Sequence, residues 1–407
     1  MAFDDSQTAT SRTNHDPPNG TPQVHKSIDE QTGIMTSNHA AGPDRLILEG
    51  TPRERGLTHG EAFATEIEEN VDRYLEVFAH YGADEESVYD DVETFVGIIE
   101  SENPDYAEEM VAIAEGADLD VEDVTLLNAR YEVTYGAYAD AAAESDDPSP
   151  GNGVIPDGCT AFGAQPEITA NGHTIVGQNW DWIPSIHTFV MDLRREEGTN
   201  LVAMTEAGIV GGKIGLNDRG IGMLLNGLIS ARDGERPYCK PYHVRFREAL
   251  DAERLDRAIE PFLTADRANS ANVLLAHAEG EMIDLELTPT RTHHLYPTDG
   301  LLTHANHFET TGVDSQFETI VPHTLCRAPR LRRLLSGERI SIDRAKAALR
   351  DHFGKPASIC SHVDESLPKP EWGRTNGSFL IDLTDRRMLA TDGPPCESRY
   401  VSFEVED

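Results

Sequence analysis

The chain of 407 residues is 38% hydrophobic, enough to build a sizeable core, and sets 72 Asp and Glu against only 34 Lys and Arg, for a formal charge of −38. A surface so acidic repels nucleic acid and anionic membranes. Self-repulsion on this scale is tolerable where concentrated salt shortens the screening length, so the composition points to the cytoplasm of a salt-adapted cell and to a fold that needs at least moderate ionic strength.

Residues 1–43 are polar, rich in Ser, Thr, Asn, Asp and Pro, and read as a disordered tail. They hold no basic n-region followed by an apolar stretch, and the chain has no apolar run of 18 residues, so neither export nor a membrane span is expected. Order begins at Leu46-Ile47-Leu48. Thr51-Pro52-Arg53-Glu54 then reads as a capping box with Pro at the first helical position, starting a helix over 52–79. Asn103-Pro104 offers a similar start for a helix carrying Tyr106, Met110, Ile113 and Ala114, and a third helical stretch covers 121–138.

Residues 140–158 hold Pro, Gly, Ser and acids with almost no apolar periodicity, which predicts an exposed loop, flexible over 140–157. After it the pattern changes to short β-type runs at 159–165, 173–181, 187–195, 200–206 and 220–228. One helix is expected over 242–263, then strands at 272–278, 281–287 and 300–306, helices at 325–335 and 341–352, and strands at 378–383, 387–391 and 399–405. Helices flanking two groups of mostly antiparallel strands suggest an α+β sandwich of two sheets covered by helices.

The chemistry centres on Asp157-Gly158-Cys159-Thr160, where the loop meets the first strand. A Cys at a strand start is often just a small buried hydrophobe. Here, though, Gly precedes it, and Gly tolerates the backbone geometry that brings its carbonyl carbon within reach of the next thiol. Attack of Cys159 on Gly158 would give a thioester by N-to-S acyl shift. Water would then release a chain beginning at Cys159, whose α-amine, with a pKa of roughly 7.7–8.0, could act as base on its own thiol. An Asn171-Gly172 turn predicts a hairpin that returns Gly177-Gln178-Asn179-Trp180-Asp181-Trp182 beside Cys159.

With these residues the chain resembles the acyl-coenzyme A:6-aminopenicillanic acid acyltransferase family, whose self-cleaving members carry Gly-Cys-Thr at the cleavage site followed by Gly-Gln-Asn-Trp-Asp. The likeness runs from about residue 45 to the C-terminus, through Leu48-Glu49-Gly50-Thr51-Pro52, Gly56, His59, Gly60, Thr205-Glu206-Ala207-Gly208-Ile209, Gly215-Leu216-Asn217, Thr303-His304-Ala305-Asn306-His307 and Ser358-Ile359-Cys360. It implies an N-terminal-nucleophile hydrolase fold, a four-layer αββα sandwich, in which 44–158 is a helical pro-segment kept as a small subunit and 159–407 is the catalytic part.

The same resemblance implies Cys159 as nucleophile, Asp181 as the carboxylate orienting the new amine or thiol, Asn306 as an oxyanion-hole donor and Arg374 as the cation near the nucleophile, with Arg386 and Arg387 close by as alternatives. Asn226 resembles a second Asn facing the nucleophile. Gln178, where related bile-salt hydrolases and penicillin V acylases have Arg, favours the acyltransferase branch. Trp180 and Trp182 share a strand face and read first as core, second, with Gln178, as walls of an acyl pocket.

The implied reaction is hydrolysis of an amide, or transfer from an acyl-coenzyme A thioester, on a small-molecule substrate with no cofactor. The processed pro-segment is the only protein partner implied. A non-catalytic binding protein of the same fold that never cleaves is the rival reading. His293, His294, His304 and His307 lack acidic or thiolate companions at metal spacing, so no metal is expected, and Cys239, Cys326, Cys360 and Cys396 read as structural. Residues 207–215, Gly-rich but without a Lys-Ser/Thr ending, read as a tight turn.

Overall fold

In a computed structural model, the described residues are 42–144, 158–264 and 266–406, with two short strands before them. Most of the expected tail, and the loop from 145 to 157, lie outside the described residues. The early strands, β1 (Ser27–Ile28) and β2 (Met35–Thr36), pair antiparallel as a unit of their own.

The main body begins with β3 (Arg45–Leu48) and four helices, α1 (Pro52–His80), α2 (Glu85–Glu102), α3 (Pro104–Ala117) and α4 (Val121–Glu144). The Thr51 capping box forms in both directions, Glu54 N–H to Thr51 Oγ1 at 3.3 Å and Thr51 N–H to Glu54 Oε2 at 2.8 Å. Asn103, expected to cap α3, instead sends its amide to Glu248 at 2.8 Å. Helix α2 escaped the sequence reading although Val88, Val92, Phe95 and Ile99 bury one face at helical spacing. The expected loop starts late, since α4 continues to Glu144.

Strands follow: β4 (Thr160–Ala164), β5 (Ile175–Trp182), β6 (Thr188–Leu193), β7 (Leu201–Glu206), β8 (Ile214–Asn217) and β9 (Ile221–Gly227). The single helix expected over 242–263 breaks into α5 (Tyr242–Leu250), α6 (Leu255–Ile259) and a turn of 3-10 helix. Asp251 marks the break: its carboxylate collects Arg247, Arg195 and the Tyr106 hydroxyl. Next come β10 (Ala271–His277), β11 (Met282–Leu287), β12 (Thr292–Leu295), β13 (Leu301–His304), α7 (Phe317–Ile320), α8 (Thr324–Leu335), α9 (Ile342–Leu349), β14 (Arg374–Asp382), β15 (Arg387–Ala390) and β16 (Val401–Glu404).

The strands form two sheets, β12-β11-β10-β9-β8-β7-β6-β3, antiparallel except for the parallel β3–β6 pair, and β13-β4-β5-β14-β15-β16, wholly antiparallel. Their inner faces meet in one large core. A second core, including Phe162, Ile175, Leu331, Leu349 and Leu380, sits between the smaller sheet and the helices α8 and α9. On the far side α1, α4 and α5 cover the larger sheet: Phe63 stacks on Phe189 of β6, His59 meets the same ring edge-on, and Asn217 of β8 binds the Leu250 carbonyl of α5. The result is the expected four-layer αββα sandwich.

Gly56 and Gly60, one turn apart on α1, let α1 lie directly on α3. A Cβ at Gly56 would stand 2.3 Å from the Glu109 carbonyl oxygen, and one at Gly60 2.2 Å from that of Ile113. Because both obstacles are backbone, neither can swing aside. Gly60→Ala is therefore expected to destabilise the fold by about 1–3 kcal/mol, measured by denaturant unfolding. An unchanged midpoint would show that the helices separate freely.

Candidate active site

The hairpin anticipated from Asn171-Gly172 forms: β4 pairs antiparallel with β5, Thr160 opposite Asn179 and Ala161 opposite Gln178. Alternation then sorts the side chains. Cys159, Ala161 and Trp180 belong to the core between the sheets, whereas Asn179 points outward and holds the Leu349 and Ile359 carbonyls at 2.8 and 2.7 Å. Cys159 is almost fully buried, with Sγ 3.8 Å from the Asp181 carbonyl oxygen.

Asp181 sits against the peptide before the cysteine. A Cβ at position 158 would stand 2.7 Å from its Oδ2, so any larger residue there would push against the carboxylate. Thr375 of β14, opposite Asp181 in the ladder, fixes the carboxylate by donating from Oγ1 to Oδ1 at 2.6 Å. A cleft of about 190 Å³ reaches Gly158 and Asp181 and is walled by Ile320, Val321, His323, Pro356 and His362.

The cation at this junction is Arg327 of α8, which the sequence reading missed. Its Nη1 donates to the Gly158 carbonyl and lies 2.5 Å from the Cys159 carbonyl oxygen and 2.9 Å from Thr160 Oγ1, and its Nη2 donates to Asn306 Oδ1 at 2.8 Å. Its Nε donates to His323 Nδ1 at 3.2 Å. Burial, with the Arg327 charge adding to it, pushes His323 down to about 3, so that ring is neutral and able to accept. Arg374, expected in this role, starts β14 opposite Trp182, bonds to Asn376 at 3.2 Å, and has Asp392 and Glu397 as its nearest charges.

Asn306 follows β13 and is tied down on three sides. Its N–H goes to Thr324 Oγ1 at 2.8 Å, its Nδ2 to the Gly227 carbonyl at 3.0 Å, and its Oδ1 takes Arg327. Asn226, next to Gly227, is fully buried, and neither atom of its amide has a hydrogen-bond partner among the described residues. Native interiors rarely leave such a group unmatched without a reason.

The three residues expected around an acyl pocket are spent elsewhere, and none lines the cleft. Gln178 bonds the Leu225 backbone through both ends of its amide, 3.1 Å at the N–H, on the stretch of β9 beyond its pairing with β8. Trp182 donates from Nε1 to the Tyr74 hydroxyl at 2.8 Å under the Arg130 guanidinium, and Lys213 sits 5.1 Å over Trp180. Glu206, fully buried, binds Tyr74, Arg130 and Lys213 together. Core packing, the first reading of the two tryptophans, is what these contacts describe.

Residues 168–394 match the sequence model of the family described as acyl-coenzyme A:6-aminopenicillanic acid acyl-transferase. The chain belongs to this family. The matched span begins after Cys159 and takes in Asp181, Asn226, Asn306, Arg327 and Arg374. The acyl-coenzyme A:6-aminopenicillanic-acid-acyltransferase 40 kDa form of Emericella nidulans is 29% identical over 364 residues, 86% of this chain and 92% of its own length.

Among solved structures, an N-acylethanolamine-hydrolyzing acid amidase ortholog of Caenorhabditis elegans is similar with a TM-score of 0.43 and 15% identity, covering 56% of this chain and 93% of its own. A C2A mutant of conjugated bile acid hydrolase from Clostridium perfringens gives 0.42 and 10%, covering 61% and 97%. As a member of the acyltransferase family, the chain is an enzyme of the acyl-transfer kind. Among the described residues no helix is long and apolar enough to cross a membrane.

His304 supports this site from inside the sandwich. Its Nε2 lies 3.0 Å from Glu286 Oε1 and its Nδ1 2.8 Å from the Ala305 carbonyl; two acceptors call for two N–H donors, hence an imidazolium. Burial opposes the charge, but Asp284 and Glu286 overcome it and raise the pKa to about 9. With an ordinary unfolded value near 6.5, the resulting stabilisation is complete below about pH 6.5 and lost as pH rises through about 9. Unfolding titrations should show the wild-type advantage over His304→Gln shrinking across that window by on the order of 3 kcal/mol. A difference constant with pH would contradict a charged His304.

Proposed function

We propose that the chain is the precursor of a Cys-nucleophile amidohydrolase or acyltransferase that cuts itself between Gly158 and Cys159 and thereafter works through a Cys159 thioester. The observation that carries this reading is the Arg327 guanidinium against the Gly158 carbonyl, at the one peptide whose next residue is the buried Cys159. A fixed cation there would stabilise the negative charge that develops on the carbonyl oxygen when it is attacked.

In the first stage Cys159 Sγ adds to the Gly158 carbonyl carbon, the thiol proton leaves, and the oxyanion forms beside Arg327. The C–N bond breaks and its electron pair, with a proton, becomes the Cys159 amine. Water adds to the thioester, the sulfur departs as thiol, and Gly158 ends as a carboxylate. Residues 1–158 would stay on as the smaller subunit, held by contacts such as the Asn128 carbonyl to His243 and Glu132 to the Tyr242 N–H.

In the second stage the new α-amine, oriented by Asp181, takes the thiol proton and Sγ attacks the substrate acyl carbon. The C–N bond breaks, the substrate amine leaves with that proton, and water then hydrolyses the Cys159 thioester to release the acid and restore the thiol. Asn226, with an unmatched buried amide, is the donor assigned to the substrate oxyanion, while Asn306, first expected in that role, holds Arg327. An amide is the first-choice substrate with water as acceptor, since a cleft of about 190 Å³ is small beside the roughly 300–1,000 Å³ of sites that enclose drug-sized ligands. The likeness to the Emericella acyltransferase supports an acyl-coenzyme A donor as the second reading.

Intact mass under denaturing conditions tests the reading. Wild type should appear as two fragments, the larger beginning at Cys159, and Cys159→Ala as one uncut chain. Asn226→Ala should still cleave, yet lose about 10²–10³ in kcat on amide substrates. An uncut wild type, or cleavage surviving in Cys159→Ala, would overturn the self-processing nucleophile.

A further inference from the structure

Four residues that the acyl chemistry leaves unused converge near the start of β14. Cys360 and Cys396 are free thiols whose sulfurs lie 3.5 Å apart, and His362 Nε2 stands 3.7 Å from the first and 3.4 Å from the second. His352 Nε2 is 3.1 Å from His362 Nε2, and the four donor atoms all fall within 4.8 Å of one another. A tetrahedral zinc with bonds of about 2.3 Å to sulfur and 2.0 Å to nitrogen needs edges of about 3.8 Å between sulfurs, 3.5 Å from sulfur to nitrogen and 3.3 Å between nitrogens. The sulfur–sulfur, sulfur–His362 and His352–His362 distances lie within about 0.3 Å of these edges, and the two from His352 to the sulfurs are at most 4.8 Å.

The second nitrogen of His362 gives an independent indication. Its Nδ1 faces Glu397 Oε1 at 3.5 Å, close to the carboxylate–histidine arrangement that orients a ring to present Nε2 to a metal. The ligand-bearing segments are also held in place by protein contacts alone. Arg330 pairs with Asp351 beside His352 at 2.5 Å, Cys360 N–H donates to the Asp351 carbonyl at 3.0 Å, and Arg350 Nε donates to the Pro395 carbonyl beside Cys396 at 2.7 Å. Ligands so positioned lose little freedom when an ion arrives.

We infer that His352, Cys360, His362 and Cys396 form a structural zinc site. Two thiolates and two neutral imidazoles are a donor set suited to zinc, and the ion displaces the two thiol protons to solvent, leaving two thiolates whose charges balance its own. All four positions are filled by protein, which leaves none for substrate or water. The spacing hid the site from sequence: Cys360 and His362 flank one residue, while His352 and Cys396 come from separate loops, and the expectation of no metal is replaced here.

The site also borders the candidate active site. Ser361, between two of the ligands, donates its N–H to Thr375 Oγ1 at 2.9 Å, and Thr375 in turn holds Asp181. That link rests on the proposed role of Asp181, whereas zinc binding does not.

The test is elemental analysis of the full chain purified without chelator, followed by exchange to cobalt. One zinc per chain is expected, with the visible bands of tetrahedral, thiolate-bound cobalt after exchange. Cys360→Ser and Cys396→Ser should lose both signals, and Cys326→Ser, an exposed cysteine outside the cluster, should keep them. Should a ligand variant fail to fold, the metal content of wild type decides. Cys159→Ala should also keep its zinc, which separates this proposal from self-cleavage. A metal-free wild type without cobalt bands, or one lighter by two hydrogens through a Cys360–Cys396 disulfide, would overturn it.

Discussion

A buried guanidinium must find acceptors for its N–H donors, and the way Arg327 finds them organises the centre of this protein. They come from the Gly158 and Cys159 carbonyls, the Thr160 hydroxyl, the Asn306 amide and a neutral His323. Helix α8, the start of β4 and the residues after β13 are thereby locked to one another. Removing the charge would take a donor from the start of β4 and from Asn306, so the cost would fall on this junction before it reached the apolar core.

Around the junction, polar groups between the sheets are matched in pairs rather than dispersed. Gln178 completes β9 where β8 stops, Glu206 gathers two cations and a tyrosine beneath the tryptophans, and His304 joins the smaller sheet to Glu286 of the larger one. Each of these contacts has a direction and a required partner, which fixes the relation of the sheets more narrowly than apolar packing could. Asn226 and Asn272, opposite one another on β9 and β10, are exceptions: both are fully buried and neither amide has a hydrogen-bond partner among the described residues.

What could be read from sequence follows the range of the interactions. The capping box at Thr51, the Asn171-Gly172 hairpin and the Gly158-Cys159 pair are local signals, and the family likeness carried the layered fold. Arg327 was missed because α8 holds four arginines, three of which are ordinary candidates for solvent. A signal was there: Arg327 occupies the buried stripe of Thr324, Ala328, Leu331 and Leu335, where a charge is out of place unless it is needed inside. Strands β8 and β12 were missed because one is short and follows two glycines and the other carries His293 and His294 on a sheet edge. The zinc ligands, spread over 45 positions of chain from 352 to 396, meet only once the sheet is built.

The most direct test of the account is to trap the thioester that follows the oxyanion Arg327 would stabilise. Freshly synthesised chain can be incubated with hydroxylamine and its fragments weighed. The account predicts that the smaller fragment ends in a Gly158 hydroxamate and that the larger begins at Cys159, because a thioester at Gly158 is open to that nucleophile. Fragments that end at Gly158 as a plain carboxylate in equal yield with and without hydroxylamine, or a cut at any other bond, would contradict attack by Cys159 on the carbonyl beside it.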